Sequence, residues 1–149
     1  MKYATENELL DVLGQFESGT ILRDEWGHPE HLIVAYFYCS EGGADAAYPR
    51  MKNGILKLLE AFGIDKRKEM PYHETMTMFW IRTIGRFVET HPDLDPLEGC
   101  AALIASFGRD YPLEFYSSEL LYSDRARAEF VEPDIKPFKM PNSVLATQE

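Results

Sequence analysis

Residues 29–39 read PEHLIVAYFYC, and the last eight of them are apolar on every face of a helix. Pro29 suits a helix start because its missing N–H has no partner there, and Gly42 with Gly43 supplies a stop. Periodicity alone also fits a buried strand, but these boundaries favour a helix. A helix without a polar face has to be surrounded by other elements. The segment therefore predicts a helix at the centre of the fold.

Helical spacing continues on both sides of this central segment. Thr5 followed by Glu8 is a capping box that begins the first helix, and Gly19 ends it. The other predicted helices are an apolar stripe over 51–62, a long helix from Pro71 to about His91, a fifth helix over 97–107, and two short helices capped by Ser117 and Ser123.

The pattern as a whole predicts an all-α fold, a single-domain orthogonal bundle of about five to seven helices. A chain of 149 residues is long enough for one substantial core. We expect the helical domain to cover 1–132, and the proline-containing segment 133–149 to form an extended C-terminal arm or tail. Cys39 and Cys100 lie in apolar helical patterns without metal-ligand spacing, so they are predicted to be small core residues.

The net charge of −10 argues against nucleic acid and anionic membranes as partners, because both require a basic surface. No stretch approaches the roughly 20 apolar residues of a membrane span, and the N-terminus lacks the order of a signal peptide. These features predict a cytoplasmic protein whose partners are small molecules or proteins. The oligomeric state is left open.

Three of the four histidines fall at predicted helix starts, which is the main functional indication in the sequence. His28 and His31 lie one turn apart, so their imidazoles could converge on one divalent transition metal, with His73 as a third ligand if the two helix starts meet. Glu74 points about 100° away from His73 around the helix. It is therefore better suited to proton transfer than to the same metal ion.

The leading hypothesis is a small-molecule enzyme with a histidine-lined pocket between the starts of these two helices, in which a divalent metal could bind. Neutral imidazoles at a helix start could bind a metal, accept a proton or stabilise an oxyanion. The predicted catalytic residues are His73, Glu74 and Tyr72, and the predicted ligand-binding residues are Trp26, Thr77, Trp80 and Tyr116.

Two alternatives stay open. In the first, the same pocket holds a metabolite without catalysis, in a ligand-binding or regulatory module. In the second, the protein has an interaction role and the histidines are structural, with His28 acting simply as a helix cap. Motifs for a serine or cysteine nucleophile, a phosphate-binding loop or an HExxH zinc site do not occur in the sequence.

Four segments, WGHPEHL, YHETMTMFW, FYSSELLYS and VEPD, resemble a family of small, uncharacterised bacterial proteins of about this length. Gly27 departs from the family pattern, which has threonine or a similar polar residue between tryptophan and histidine. The resemblance covers most of the chain and implies a shared site without implying its reaction. The matching positions are Trp26, His28, His31, Leu32, Tyr72, His73, Glu74, Thr75, Thr77, Phe79, Trp80, Phe115, Tyr116, Ser117, Pro133 and Asp134.

Overall fold

The computed structural model describes residues 2–64 and 72–137, and within these ranges the fold is all-α, as predicted. The described chain contains six α-helices and two short 3-10 helices, Arg23–Glu25 and Tyr111–Glu114. None of these helices combines the length and the apolarity needed to cross a lipid bilayer. The helices are α1 (Glu6–Ser18), α2 (His28–Ala61), α3 (Glu74–Thr90), α4 (Pro96–Ser106), α5 (Ser118–Leu121) and α6 (Asp124–Ala128).

Local sequence signals set the ends of α1, as the pattern predicts. The Thr5 hydroxyl accepts a hydrogen bond from the Glu8 N–H at 3.2 Å, and the Glu8 carboxylate accepts one from the Thr5 N–H at 3.0 Å. Gly19 ends the helix in the left-handed region, with φ 74°. The face of α1 that carries Leu9, Val12 and Phe16 is buried.

Helix α2 covers two stretches that the sequence pattern predicts as separate helices. Its backbone breaks at Gly43, with φ 77° and ψ 177°, so the predicted stop exists, but the chain resumes the helix at once. The helix also begins one residue earlier than expected. Gly27 is the N-cap residue and His28 is the first helical residue, so the alternative in which His28 caps the helix is wrong. The Glu30 carboxylate accepts the Gly27 N–H at 3.0 Å instead.

The first half of α2 is buried on all sides, as its apolar sequence requires. Helices α1, α3 and α4 pack around it, with α3 making the most extensive contact. Helix α4 crosses closely because Gly99 faces the ring of Tyr36, where a Cβ atom would lie only 2.6 Å from a ring carbon. Cys39 and Cys100 are buried free thiols, which confirms their prediction as core residues.

A second, smaller apolar cluster lies on the other side of α3, around Phe79. Backbone and side-chain hydrogen bonds tie the end of the described chain to it. The Tyr116 hydroxyl donates to the Val131 carbonyl at 2.7 Å, and the Asp134 carboxylate accepts the Ser117 N–H and hydroxyl at 2.8 and 2.6 Å. The predicted arm thus begins attached to the helical domain; its remainder, 138–149, lies outside the described residues.

Substitution of Gly43 by alanine tests the break in α2. Its φ and ψ fall in a region that is essentially restricted to glycine, so G43A is expected to lower the free energy of unfolding by about 1–3 kcal/mol in urea denaturation. Gly14 is the matched control, because it lies within α1 and a Cβ there would meet no atom within 4 Å. G14A should stabilise the protein by up to about 1 kcal/mol. Equal effects of the two substitutions would contradict this role of Gly43.

Candidate ligand-binding cavity

A cavity of about 350 Å³ lies between α2 and α3, where the predicted starts of two helices meet. His28 and His31 reach it from the start of α2, and Tyr72 and His73 reach it from the start of α3. Its volume falls within the usual range of small-molecule sites. The rest of its wall is mainly apolar and includes Leu32, Ala35, Met51, Ile55, Ile81 and Ile84.

His31 lines the cavity and has one ring nitrogen without a hydrogen-bond partner among the described residues. Its Nδ1 lies 3.2 Å from the Gly27 carbonyl oxygen, which can only accept, so Nδ1 carries the proton. Nε2 therefore keeps its lone pair and has no hydrogen-bond partner among the described residues. The pKa of His31 is lowered to about 4, mainly by burial and also by the nearby charges of His28 and Arg109, which together outweigh the Gly27 hydrogen bond and the charge of Glu30. The imidazole is therefore neutral at physiological pH.

His28 also donates one ring N–H to a backbone carbonyl, but it does so through Nε2, whereas His31 uses Nδ1. Its Nε2 lies 2.8 Å from the carbonyl oxygen of Phe107, at the end of α4, and must donate to it. The ring also packs edge-on against Trp80, with 5.0 Å between ring centroids. In the neutral form of His28, Nδ1 therefore carries the lone pair, and this nitrogen too makes no hydrogen bond to a described residue.

Both ring nitrogens of His73 are engaged, so the structure assigns this residue a structural role. His73 is the N-cap residue of α3, and its Nδ1 accepts the Met76 N–H at 3.1 Å. Its Nε2 donates to the Leu121 carbonyl at 2.6 Å. Burial lowers the pKa of His73, which favours this neutral form. Metal binding or proton transfer by His73 would require one of these buried hydrogen bonds to break.

The predicted three-histidine metal site is therefore not formed. Within 2–64 and 72–137, no group of three histidine, cysteine, aspartate or glutamate side chains is arranged to hold a metal ion. His28, His31 and His73 do line one cavity, as predicted. Backbone carbonyls hold one nitrogen of each ring, and the Met76 N–H takes the second nitrogen of His73.

Glu74 lies outside the cavity wall and ties α3 to α2. Its carboxylate accepts hydrogen bonds from Tyr48 and from Tyr72 (2.8 Å), and Lys52 lies 3.2 Å away. Burial alone would raise the pKa of Glu74, but these three partners outweigh it and the pKa is lowered. The ring of Tyr72 lines the cavity while its hydroxyl donates to Glu74. Glu74 and Tyr72, two of the three predicted catalytic residues, are thus joined by a part-buried hydrogen bond.

Glu30, at the start of α2, is likewise a buried carboxylate that accepts hydrogen bonds and lies near a lysine. It is 3% exposed, accepts the Gly27 N–H and the hydroxyl of Tyr3, and lies 3.5 Å from Lys2. Hydrogen bonds and the lysine charge keep its pKa low despite burial. Each of the two helices that bound the cavity therefore has an ionised glutamate in its first turn, where the helix dipole favours negative charge.

Two of the four predicted ligand-binding residues line the cavity, and two do not. Thr77 and Trp80 line the cavity, although the Thr77 hydroxyl already donates to the His73 carbonyl at 3.0 Å. Trp26 lies behind His31, with 4.2 Å between their ring centroids, and stacks on Phe16 at 4.9 Å. Tyr116 is fully buried in the second cluster and does not line the cavity. Trp26 therefore supports a cavity residue without contacting the cavity itself.

Three further lining residues, Arg109, Asp110 and Tyr122, are not found by the sequence reasoning. All three are exposed at the mouth of the cavity, and Arg109 is close enough to lower the pKa of His31. Arg109 and Asp110 follow Gly108, just after α4, in a segment without helical periodicity. Their position depends on how α4 packs against α2, so no local pattern could have identified them.

Comparisons of the chain with protein-family models, curated proteins and solved structures find no match. The chemistry of the cavity wall is therefore the basis for a functional argument. The wall combines an apolar body with the free nitrogens of His28 and His31, the guanidinium of Arg109 and the carboxylate of Asp110. None of the described lining residues is a serine or cysteine, so the wall offers a few polar groups within a mainly apolar space.

Substitution of His73 by alanine should destabilise the protein. The change removes the acceptor for the Met76 N–H and the donor to the Leu121 carbonyl, so we expect a loss of about 1–3 kcal/mol in the free energy of unfolding. H73N should recover part of the loss, because asparagine can also cap a helix. H91A is the control and should cost less, because His91 is exposed and only its Nδ1 contacts a backbone carbonyl, that of Phe87 at 2.9 Å. Unchanged stability in H73A would contradict the structural role.

His31 should give the protein a pH dependence of stability near neutrality. Its pKa is about 4 in the folded protein against an ordinary value of 6.5, so the unfolded chain binds more protons between these values. The free energy of unfolding should therefore fall as the pH falls from about 6.5 to about 4, by about 2 kcal/mol after allowance for solvent at the cavity wall. In H31F this part of the pH dependence should disappear. An unchanged pH profile in H31F would contradict the prediction.

Proposed function

We propose that the protein binds a small, mainly apolar molecule in the cavity between α2 and α3. The observation that carries the proposal is a cavity of about 350 Å³ whose body is aliphatic and aromatic and whose polar groups are concentrated in a few side chains. Sites for small molecules have this composition, with apolar contact supplying affinity and a few polar groups fixing orientation. The bound molecule would lie between α2 and α3.

Binding is better supported than catalysis. His73, Glu74 and Tyr72 have their polar atoms engaged in buried or part-buried hydrogen bonds. The residues expected to perform acid–base chemistry therefore already have structural partners. An enzymatic role is the second candidate, because Nε2 of His31 is free to accept a proton. With a pKa of about 4, however, His31 is a weak base at neutral pH.

The composition supports a small molecule as the ligand. A net charge of −10 disfavours nucleic acid and anionic lipid as occupants. We also propose a cytoplasmic location, which two buried free thiols support. The resemblance to the small bacterial family supports a shared structural frame around this cavity, since its motif positions include His28, His31 and Trp80.

The two tryptophans provide a direct test of binding in this cavity. Trp80 lines the cavity and Trp26 does not, so the variant W26F carries one tryptophan, at the proposed site. A small bromoalkane should quench Trp80 fluorescence in W26F with a saturable dependence on concentration, because its heavy atom would be held beside the indole ring. The measurement is a fluorescence titration at neutral pH.

The variant W80F is the matched control, since its remaining Trp26 lies behind His31. Its fluorescence should show only the weak, linear collisional quenching expected of a solvent encounter. Linear quenching of the same size in both variants would rule out a bound molecule in this cavity. A near-native free energy of unfolding for each variant ensures that the comparison concerns folded protein.

A further inference from the structure

We infer that the occupant of this cavity carries a neutral hydrogen-bond donor, a hydroxyl group, at one end of an apolar body. This inference rests on the proposed binding function and specifies the chemistry of its ligand. It depends on which polar atoms of the cavity wall already have hydrogen-bond partners and which do not. The apolar end of the ligand would contact side chains such as Leu32 and Ile84.

Backbone carbonyls determine the hydrogen-bonding character of the two free histidine nitrogens. The carbonyl of Gly27 holds the proton of His31 on Nδ1, and the carbonyl of Phe107 holds a proton of His28 on Nε2. A carbonyl oxygen has no proton to give, so the opposite tautomers would lose these bonds. In the neutral rings, the nitrogens left over are both acceptors, and a ligand that pairs with them has to donate.

The charges at the mouth distinguish a hydroxyl from charged head groups. A carboxylate could pair with Arg109, but Asp110 would repel it and it has no proton to donate to these nitrogens. An ammonium group could pair with Asp110, but Arg109 would repel it and it would lose hydration in a mainly apolar space. A hydroxyl donates one hydrogen bond to Nε2 of His31 and keeps lone pairs that can accept from the guanidinium of Arg109.

The position of His31 at the cavity wall makes the cavity selective for a ligand that donates a hydrogen bond. His31 is held at the cavity wall between the apolar interior and Trp26, and it stays neutral at physiological pH. An occupant without a donor would displace water from Nε2 and leave that nitrogen unpaired, at a cost comparable to a lost hydrogen bond. An ether of the same size and shape as the alcohol isolates this effect.

Isothermal titration calorimetry with the full chain tests the inference using n-octanol, heptyl methyl ether, octanoate and octylammonium. The alcohol and the ether have the same number of heavy atoms and differ in the donor proton. We expect n-octanol to bind about tenfold more tightly than the ether, the factor that one hydrogen bond of about 1.4 kcal/mol gives, and more tightly than either ion.

In H31F the preference for the alcohol over the ether should fall to about twofold or less, while the ether still binds. H91F is the matched control, because His91 is an exposed histidine outside the cavity, and it should keep the full preference. The wild-type series decides the inference even if H31F does not fold.

Each other outcome has a distinct meaning. Equal binding of n-octanol and the ether by the wild type would overturn the hydroxyl assignment while leaving the binding function in place. Tighter binding of octanoate or octylammonium would overturn it in favour of a charged ligand. Binding of none of the four compounds would count against the proposed function itself, as would the absence of saturable Trp80 quenching.

Discussion

A helix that is apolar on every face must be covered on every face, and the first half of α2 imposes this requirement on the rest of the fold. Helices α1, α3 and α4 each cover one side of it. The coverage is closest at Gly99, where α4 approaches the ring of Tyr36, and it leaves a gap between the starts of α2 and α3. The cavity is thus a result of how three helices fit around one core helix.

The polar atoms around that gap follow from the unpaired backbone groups of helix ends. The end of α4 supplies the Phe107 carbonyl to His28, and the end of α5 supplies the Leu121 carbonyl to His73. The last carbonyls of a helix have no partner within the helix, so a neighbouring N–H donor is favourable there. His28 and His73 therefore join the starts of α2 and α3 to the ends of α4 and α5. His28 and His31 both line the cavity, and each keeps one ring nitrogen without a partner among the described residues.

Sequence reasoning predicted the elements of the fold well because their boundaries are local. Thr5 with Glu8, Gly43, Ser117 and Ser123 each act within a few residues of their own position, and each marks a boundary in the structure. The meeting of the two helix starts was also predicted correctly. The exact first residue of α2 was not, because the Glu30 carboxylate caps the Gly27 N–H and no cap by His28 is needed.

The roles of the candidate site residues could not be predicted because they depend on distant partners. The carbonyl that binds His28 lies 79 positions along the chain, and the one that binds His73 lies 48 positions along it. Glu74 is 26 positions from Tyr48, the hydroxyl donor that, with Tyr72, occupies its carboxylate. A sequence pattern can bring a histidine to a helix start, but it does not reveal which of the two ring nitrogens remains free.

The attachment of Asp134 to Ser117 has a consequence for how the chain folds during its synthesis. The main core has all its buried residues once Leu103 has been made, whereas the cluster around Phe79 still lacks Val131 and the Asp134 contact. Since chains fold from the N-terminus as they leave the ribosome, the α3 face that carries Phe79 is covered only after the main core is complete, first by Phe115 and Tyr116 and finally by Val131. During that interval the apolar side chains of this face remain open to contact with other nascent chains.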